Sequence, residues 1–368
     1  MTIDSFFESL YEQYQNQLPF VVYSRPINSI IKCWLQKDDV LHTTSNFNES
    51  GFVFAPFDLS NKSIVFPVDS CEHQSIEISQ LPQDSYANTA LNDIKKQEHL
   101  ELVARGINAI TNGNLKKVVL SRKVQKENVK EHPIDIFKRL FNTYKNAMVY
   151  CWYHPKVGLW LGATPELLFK VEGKQLTTIS LAGTQPQNGK KAVWSEKEYE
   201  EQQIVTDYIV DQVKPHVSSI NVSKTNTVSA GNLLHLKTYV TSLVKETNLK
   251  SIVEALHPTP AVCGFPKAEA KEFILHNENY DRAYYTGFLG ELNLKQSKTR
   301  NPNRRNVENS AYGTLKTVSN FYVNLRCMQL IGTKAIVYVG GGITKDSDPE
   351  KEWLETVNKT KTINNILG

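Results

Sequence analysis

The chain has 368 residues, 40% hydrophobic and 22% charged, and its net charge of +4 suits a small anionic substrate but is too weak to argue for nucleic acid. It carries no run of ~18 apolar residues that could span a membrane, and Met1-Thr2-Ile3-Asp4-Ser5 lacks the basic-then-apolar pattern of a secretory signal. Its five cysteines, Cys33, Cys71, Cys151, Cys263 and Cys327, form no C-x-x-C pair, which predicts free thiols and a cytoplasmic protein.

Along the chain, residues 1–85 combine an amphipathic start (Phe6, Phe7, Leu10, Tyr11, Tyr14) with short strand-like runs such as Phe20-Val21-Val22-Tyr23. Residues 92–112 have apolar positions at helical spacing and stop at Asn112-Gly113-Asn114, and Lys117-Val118-Val119-Leu120-Ser121-Arg122 is a short strand. A helix is expected over 134–145, strands over 148–153 and 157–162, and a hairpin where Leu167–Val171 meets Glu172-Gly173-Lys174. Residues 195–215 give the longest helical pattern, 267–276 another, and strands return at 283–292, 318–330 and 335–339. Gly340-Gly341-Gly342 then reads as a turn, followed by a helix with Asp348 as N-cap and Pro349 in its first position. Without β-α-β alternation or a G-x-G-x-x-G after a strand, the pattern argues for α+β rather than a doubly wound sheet. Residues 295–310, with Lys295, Lys298, Arg300, Arg304 and Arg305, read as a polar surface loop or a basic contact site.

Several pieces could carry chemistry, and each has a plainer alternative. Lys117 opens a strand, where it is either an exposed edge residue or, partly desolvated, a base. Glu166 follows Pro165 and leads the apolar Leu167-Leu168-Phe169, so it either faces water or has the raised pKa of a general acid. Glu198 and Glu201 share a helix face at i, i+3, as do Glu352 and Glu355 with Lys359 one turn on. These are solvated faces, or two acidic pairs offering hard oxygen ligands that favour Mg²⁺. Arg326 can fork onto a carboxylate, and the backbone N–H groups of the three glycines can cradle one.

Taken in order, Lys117–Arg122, Gly162-Ala163-Thr164-Pro165-Glu166, Leu181-Ala182-Gly183-Thr184, His257–Gly264, Tyr284-Tyr285-Thr286-Gly287, Arg326 and the glycine–helix tail resemble the chorismate-utilising enzymes over residues 90–368. That family comprises isochorismate synthase, salicylate synthase, anthranilate synthase component I and aminodeoxychorismate synthase component I. The resemblance implies one large α+β unit over 1–368, with a variable part to residue 90, two packed antiparallel sheets, outer helices and a central cleft. Lys117 matches the lysine of the water-using members, and Ala182 stands where aminodeoxychorismate synthases place a nucleophilic lysine. The pair implies an isomerase, isochorismate synthase, with salicylate synthase as the alternative and anthranilate synthase component I as a weaker one.

On that resemblance Lys117 is the base and Glu166 the acid, and Mg²⁺ is held by Glu201 and Glu355 with Glu198 and Glu352 nearby. Chorismate would be bound by Arg326, Tyr285, Gly340, Gly342, Lys359, Ala261, Gly183 and Thr184. The implied protein is a monomer acting on a small molecule, without nucleic acid, membrane or glutamine amidotransferase subunit, in menaquinone or siderophore biosynthesis. Two positions depart from the family: Gln202 follows Glu201 where relatives usually have histidine, and Gln185-Pro186-Gln187 stands where many carry arginine.

Overall fold

The computed structural model describes residues 1–82, 95–186, 192–230, 233–245, 248–298 and 314–367. The chain opens with helix α1 (Ile3–Gln15), capped by Thr2, and turns Phe6, Phe7 and Leu10 inward. Six short strands follow: β1 (Phe20–Ser24), β2 (Ile30–Gln36), β3 (Thr43–Thr44), β4 (Gly51–Ala55), β5 (Ser63–Pro67) and β6 (Cys71–Glu77). Helix α2 (Lys96–Thr111) leads into β7 (Lys117–Lys126), and α3 (Pro133–Thr143), started by Pro133, leads into β8 (Met148–His154) and β9 (Gly158–Thr164). The hairpin β10 (Leu167–Glu172) and β11 (Gln175–Pro186) turns at Gly173, whose φ of 61° favours glycine. Then come α4 (Glu196–Val213), β12 (Val217–Val222), β13 (Asn226–Ala230), β14 (Leu233–Val244), α5 (Leu249–Leu256), β15 (Gly264–Phe265) and α6 (Lys267–Asn277). The last elements are β16 (Phe288–Lys298), β17 (Thr314–Val323), β18 (Cys327–Ile331), β19 (Lys334–Ile343) and α7 (Pro349–Asn364). No described helix is long and apolar enough to cross a membrane.

The strands form two antiparallel sheets, confirming the α+β expectation. One has nine strands in the order β15-β7-β19-β18-β9-β8-β1-β2-β6, and the other ten in the order β12-β14-β11-β10-β17-β16-β4-β5-β3, with β13 beside β14. The sheets pack face to face over an aromatic core in which Phe54 stacks on Tyr284 at 4.3 Å and Tyr338 lies between Trp160 and Tyr285 at 5.3 and 5.4 Å. Helices α1, α3 and α7 cover the outer face of the first sheet, while α4 and α5 cover that of the second. The first six strands are divided between both sheets and are integral to the sandwich.

Four expectations need correcting. Gly340–Gly342 is no turn: the three glycines continue β19 and pair with Ser121, Leu120 and Val119 of β7. Residues 283–287 are not strand, because Ala283 and Thr286 adopt left-handed backbone angles of 48° and 60° that break an extended run. The run 318–330 is two strands, separated at Asn324-Leu325-Arg326, where Arg326 also takes φ 49°. Within the basic stretch, Lys295 belongs to the end of β16, and 299–310 lies outside the described residues.

One ion cluster ties the sheets together. Glu291 on β16 accepts hydrogen bonds from the Tyr23 hydroxyl at 2.6 Å and the Lys32 ammonium at 2.8 Å, with Arg25 at 3.7 Å. Burial alone would raise its pKa, but Lys32 and Arg25 outweigh burial and hold the carboxyl below its ordinary value. Glu291→Ala is expected to cost about 2–4 kcal/mol, because it leaves Tyr23 unpaired and two cations uncompensated. Urea unfolding at neutral pH measures this, and an unchanged midpoint would reject the clamp.

Candidate active site

The strand β18 is short, and that opens the site. Its ladder with β19 covers only Met328↔Val337 to Ile331↔Lys334, so β19 continues from Tyr338 to Ile343 with its second edge uncovered by β18. The left-handed turn at Arg326 keeps β18 from starting before Cys327, while the Arg326 carbonyl still accepts from the Ala163 amide at 3.1 Å and seats the arginine beside β9. A gap therefore lies between the end of β19 and the end of β9, where Thr164-Pro165-Glu166 leaves the sheet.

The direction of the glycine amides follows from the ladder. The Ser121 amide donates to Glu278 and the Val119 amide to the Cys263 carbonyl, both away from β19. Their partners Gly340 and Gly342 are thus non-hydrogen-bonded pairs, with N–H groups facing the uncovered edge. Consistently, the Gly340 carbonyl accepts from the Lys359 ammonium at 2.8 Å at that edge. A Cβ at Gly340 would lie 3.0 Å from the Tyr285 hydroxyl, and one at Gly342 would lie 3.0 Å from the Lys117 Cε. Side chains alternate along a strand, so Gly340 and Gly342 face the inter-sheet space with Tyr338, and Gly341 faces outward to α7.

Cations and one acid converge on this edge. Lys117 is partly buried, whereas its neighbour Lys116 is exposed and lies over the Phe265 ring, so only Lys117 is turned inward. Burial pushes the Glu166 carboxyl up to about 7, against the downward pull of Lys117, Arg326 and Lys359. Arg326 is held by Thr362 at 3.3 Å, and its charge is felt by Tyr285, Glu355 and Glu166. Tyr285 is buried, and desolvation raises its phenol.

The acidic helices behave differently from each other. On α7 the Asp348 carboxylate caps the Lys351 amide at 2.9 Å as expected, and Glu352 and Glu355 flank Gly341 from the outer face. Glu352 Oε1 accepts from Ser347, but its Oε2 is buried without a partner; burial, with Glu355, raises its pKa. Glu355 Oε1 is 2.6 Å from the Lys359 ammonium. An unpartnered buried carboxylate oxygen beside a second carboxylate is what a hard dication would satisfy, so these residues fit Mg²⁺. On α4, Glu198 is engaged locally: it takes the Ser195 amide at 2.7 Å in a capping box and the Gln185 amide at 3.1 and 3.2 Å, and these bonds lower its pKa. The Glu201 side chain lies outside the described residues, so the four-carboxylate set is only partly in view.

On the second sheet, Gly183 has φ 68° at a bulge between Ala182 and Gln185, a conformation that favours glycine, and the Ala182 and Thr184 side chains lie outside the described residues. Ala261 is exposed in the loop after α5, which ends at Leu256 before Pro258. Gln202 is buried and donates to the Ser180 carbonyl, Ser180 Oγ and Thr238 Oγ1, each at 3.1 Å, locking α4 onto β11 and β14. The sequence reading missed His235. It lies on β14 with Nδ1 3.0 Å from the Gly183 carbonyl, is lowered in pKa mainly by burial, and senses Arg326. A histidine amid Leu233-Leu234-His235-Leu236 was the available signal.

Chorismate binding enzyme models match residues 61–299 and 300–365 of the chain. The isochorismate synthase EntC of Escherichia coli (strain K12) is 27% identical over 336 residues, which is 85% of this chain and 80% of EntC. A structure described as a 2,3-dihydroxybenzoate-specific isochorismate synthase, DhbC, from Bacillus anthracis superposes with a TM-score of 0.76 at 23% identity, covering 98% of each chain. Anthranilate synthase component I from Streptococcus pneumoniae superposes with a TM-score of 0.63 at 19% identity, covering 94% of this chain and 92% of that one. The last two likenesses speak to fold.

A carboxyl with a folded pKa near 7 and an ordinary value of 4.5 adds stability at low pH and loses it as pH rises through 7. Glu166→Gln is therefore expected to leave stability unchanged at pH 4 and to raise it by about 1–3 kcal/mol at pH 8. Paired denaturant melts at the two pH values check this, and equal effects at both would refute the shift.

Proposed function

The chain belongs to the chorismate-binding enzymes, and from that premise we propose that it is an isochorismate synthase. The observation that carries the reading is the pairing of Lys117 with an acid, Glu166, whose carboxyl is pushed up to about 7 at the edge where Arg326 and Lys359 meet. Chorismate is a dianion, and this edge offers cations, two strand amides and a carboxyl whose titration is raised to about 7. Lys117 takes a proton from water as its oxygen bonds to C2. Glu166 gives a proton to the departing C4 hydroxyl, which leaves as water while both ring double bonds shift, C1=C2 to C1=C6 and C5=C6 to C4=C5. Each proton transfer is worth about 10²–10⁴-fold in rate.

Arg326, Tyr285 and the amides of Gly340 and Gly342 hold the enolpyruvyl carboxylate, with Gly183, Thr184 and Ala261 lining the ring. Glu201 and Glu355 are the proposed holders of Mg²⁺, with Glu352 beside them and Glu198, occupied by Ser195 and Gln185, contributing charge. When bound, the ion neutralises the ring carboxylate and fixes its position. Lys359, already on Glu355 and Gly340, completes the cationic rim. Ala182 is no nucleophile, which disfavours a covalent route to an amine. We assign the chain to water addition in a cytoplasmic monomer that needs no amidotransferase partner.

Incubation with chorismate and Mg²⁺ is expected to give isochorismate, independently of ammonium and without pyruvate release in a lactate-dehydrogenase-coupled assay. Unconsumed chorismate would sink the proposal, and stoichiometric pyruvate would replace it with salicylate synthesis. Lys117→Ala and Glu166→Gln should each lower kcat by about 10²–10⁴-fold. Chelation of Mg²⁺ by EDTA should abolish turnover and be reversed by added Mg²⁺.

A further inference from the structure

A buried ion pair behind the substrate-facing segments has no part in the chemistry above. The side chains of Arg282 and Glu278 are 2% and 1% exposed. Arg282 Nε donates to Glu278 Oε2 at 2.7 Å, and Nη2 donates to Glu278 Oε1 at 2.5 Å and to the Val119 carbonyl at 2.7 Å. Nη1 donates to the Val262 carbonyl at 3.0 Å and to Thr286 Oγ1 at 3.3 Å. All five guanidinium N–H donors are used, each in a fixed direction. Glu278 also accepts from the Ser121 amide at 2.7 Å and from its hydroxyl at 2.8 Å, and that hydroxyl meets the Tyr280 hydroxyl at 2.7 Å.

The partners fall in three separate stretches of chain. Val119 lies on β7 two residues after Lys117, Val262 follows Ala261, and Thr286 follows Tyr285. A buried pair of this kind is weak evidence for stability, since desolvation offsets much of its attraction. We infer that Arg282 is a positioning residue that sets Lys117, Ala261 and Tyr285 at fixed distances from one another. The inference rests on reading the chain as a chorismate-converting enzyme. A lysine in its place keeps the charge opposite Glu278 but has three donors on a flexible stem, so it cannot reach all three stretches.

The test uses Arg282→Lys in the full chain, with far-UV circular dichroism, a thermal melt and steady-state kinetics on chorismate with Mg²⁺ across pH. The expected result is a folded variant whose KM rises ~10-fold and whose kcat falls ~10–100-fold, the size of loss that small misplacements cause. The alkaline limb of kcat should also move up in pH, because a displaced Lys117 holds Glu166 down less. Ser121→Ala removes one bond to Glu278 and leaves every Arg282 donor in place. It should move KM and the pH limb in the same direction by a smaller factor, and it decides the matter if Arg282→Lys does not fold. A lower melting temperature with KM and the pH limb unmoved in the folded variant would overturn the inference. A wild-type enzyme that leaves chorismate unchanged overturns the functional reading instead, and the inference with it.

Discussion

The site depends on one backbone constraint, the left-handed turn at Arg326 that delays the start of β18 to Cys327. Had the strand begun a few residues earlier, it would have covered the edge of β19 and consumed the amides of Gly340 and Gly342 in an ordinary ladder. Instead a sheet that is otherwise fully paired along its middle is left open for a few residues. Backbone donors, which normally vanish into secondary structure, become available for an anion there. The same turn points the Arg326 side chain at the opening it creates. The Cβ-free positions then let Tyr285 and Lys117 approach the strand from the inter-sheet side, so closely that a Cβ at Gly340 or Gly342 would come within 3.0 Å of them.

Charge is sorted across the strand. Lys117 and Tyr285 come from the inner face, and Glu352 and Glu355 come from the outer face on α7. The two sets meet where Lys359 reaches round to the Gly340 carbonyl. Glu166 is the exception, an acid among cations whose titration burial moves up to about 7, so that a substantial share is protonated at neutrality. A carboxyl poised in this way can donate a proton, whereas the α7 acids, one with an unpartnered oxygen, are suited to a cation. The same residue type thus takes two roles, set by surroundings and not by identity.

Periodicity and end signals made most helices and many strands readable, and the N-cap at Asp348 and the hairpin at Gly173 were legible from local chemistry alone. What failed was whatever depended on a distant partner. Three glycines after a β-branched run look like a turn unless β7 is known to lie alongside. Ala283, Thr286 and Arg326 carry left-handed angles that nothing in their residue types announces. For the site, the order of motifs was sufficient to nominate Lys117, Glu166 and Arg326. The capping role of Glu198 was written in Ser195-x-x-Glu198 but was hidden by its appeal as a ligand. Arg282 gave no signal at all, since its importance lies in three carbonyl and hydroxyl partners from elsewhere in the chain.

The dispersal of the first six strands between both sheets bears on how the chain comes to be assembled. β1 finds β8 only after roughly the first two fifths of the chain exist, and β4 must wait for β16, with Gly51 opposite Leu292. During synthesis Phe52, Val53 and Phe54 of β4 can pair at once only with neighbouring β5, itself beside β3, and lack the rest of their sheet until β16 has emerged. Exposure to aggregation is thus concentrated in the early strands, whereas the groups proposed for chemistry are drawn from Lys117 through to Lys359. Slower elongation before β16 would prolong that exposure.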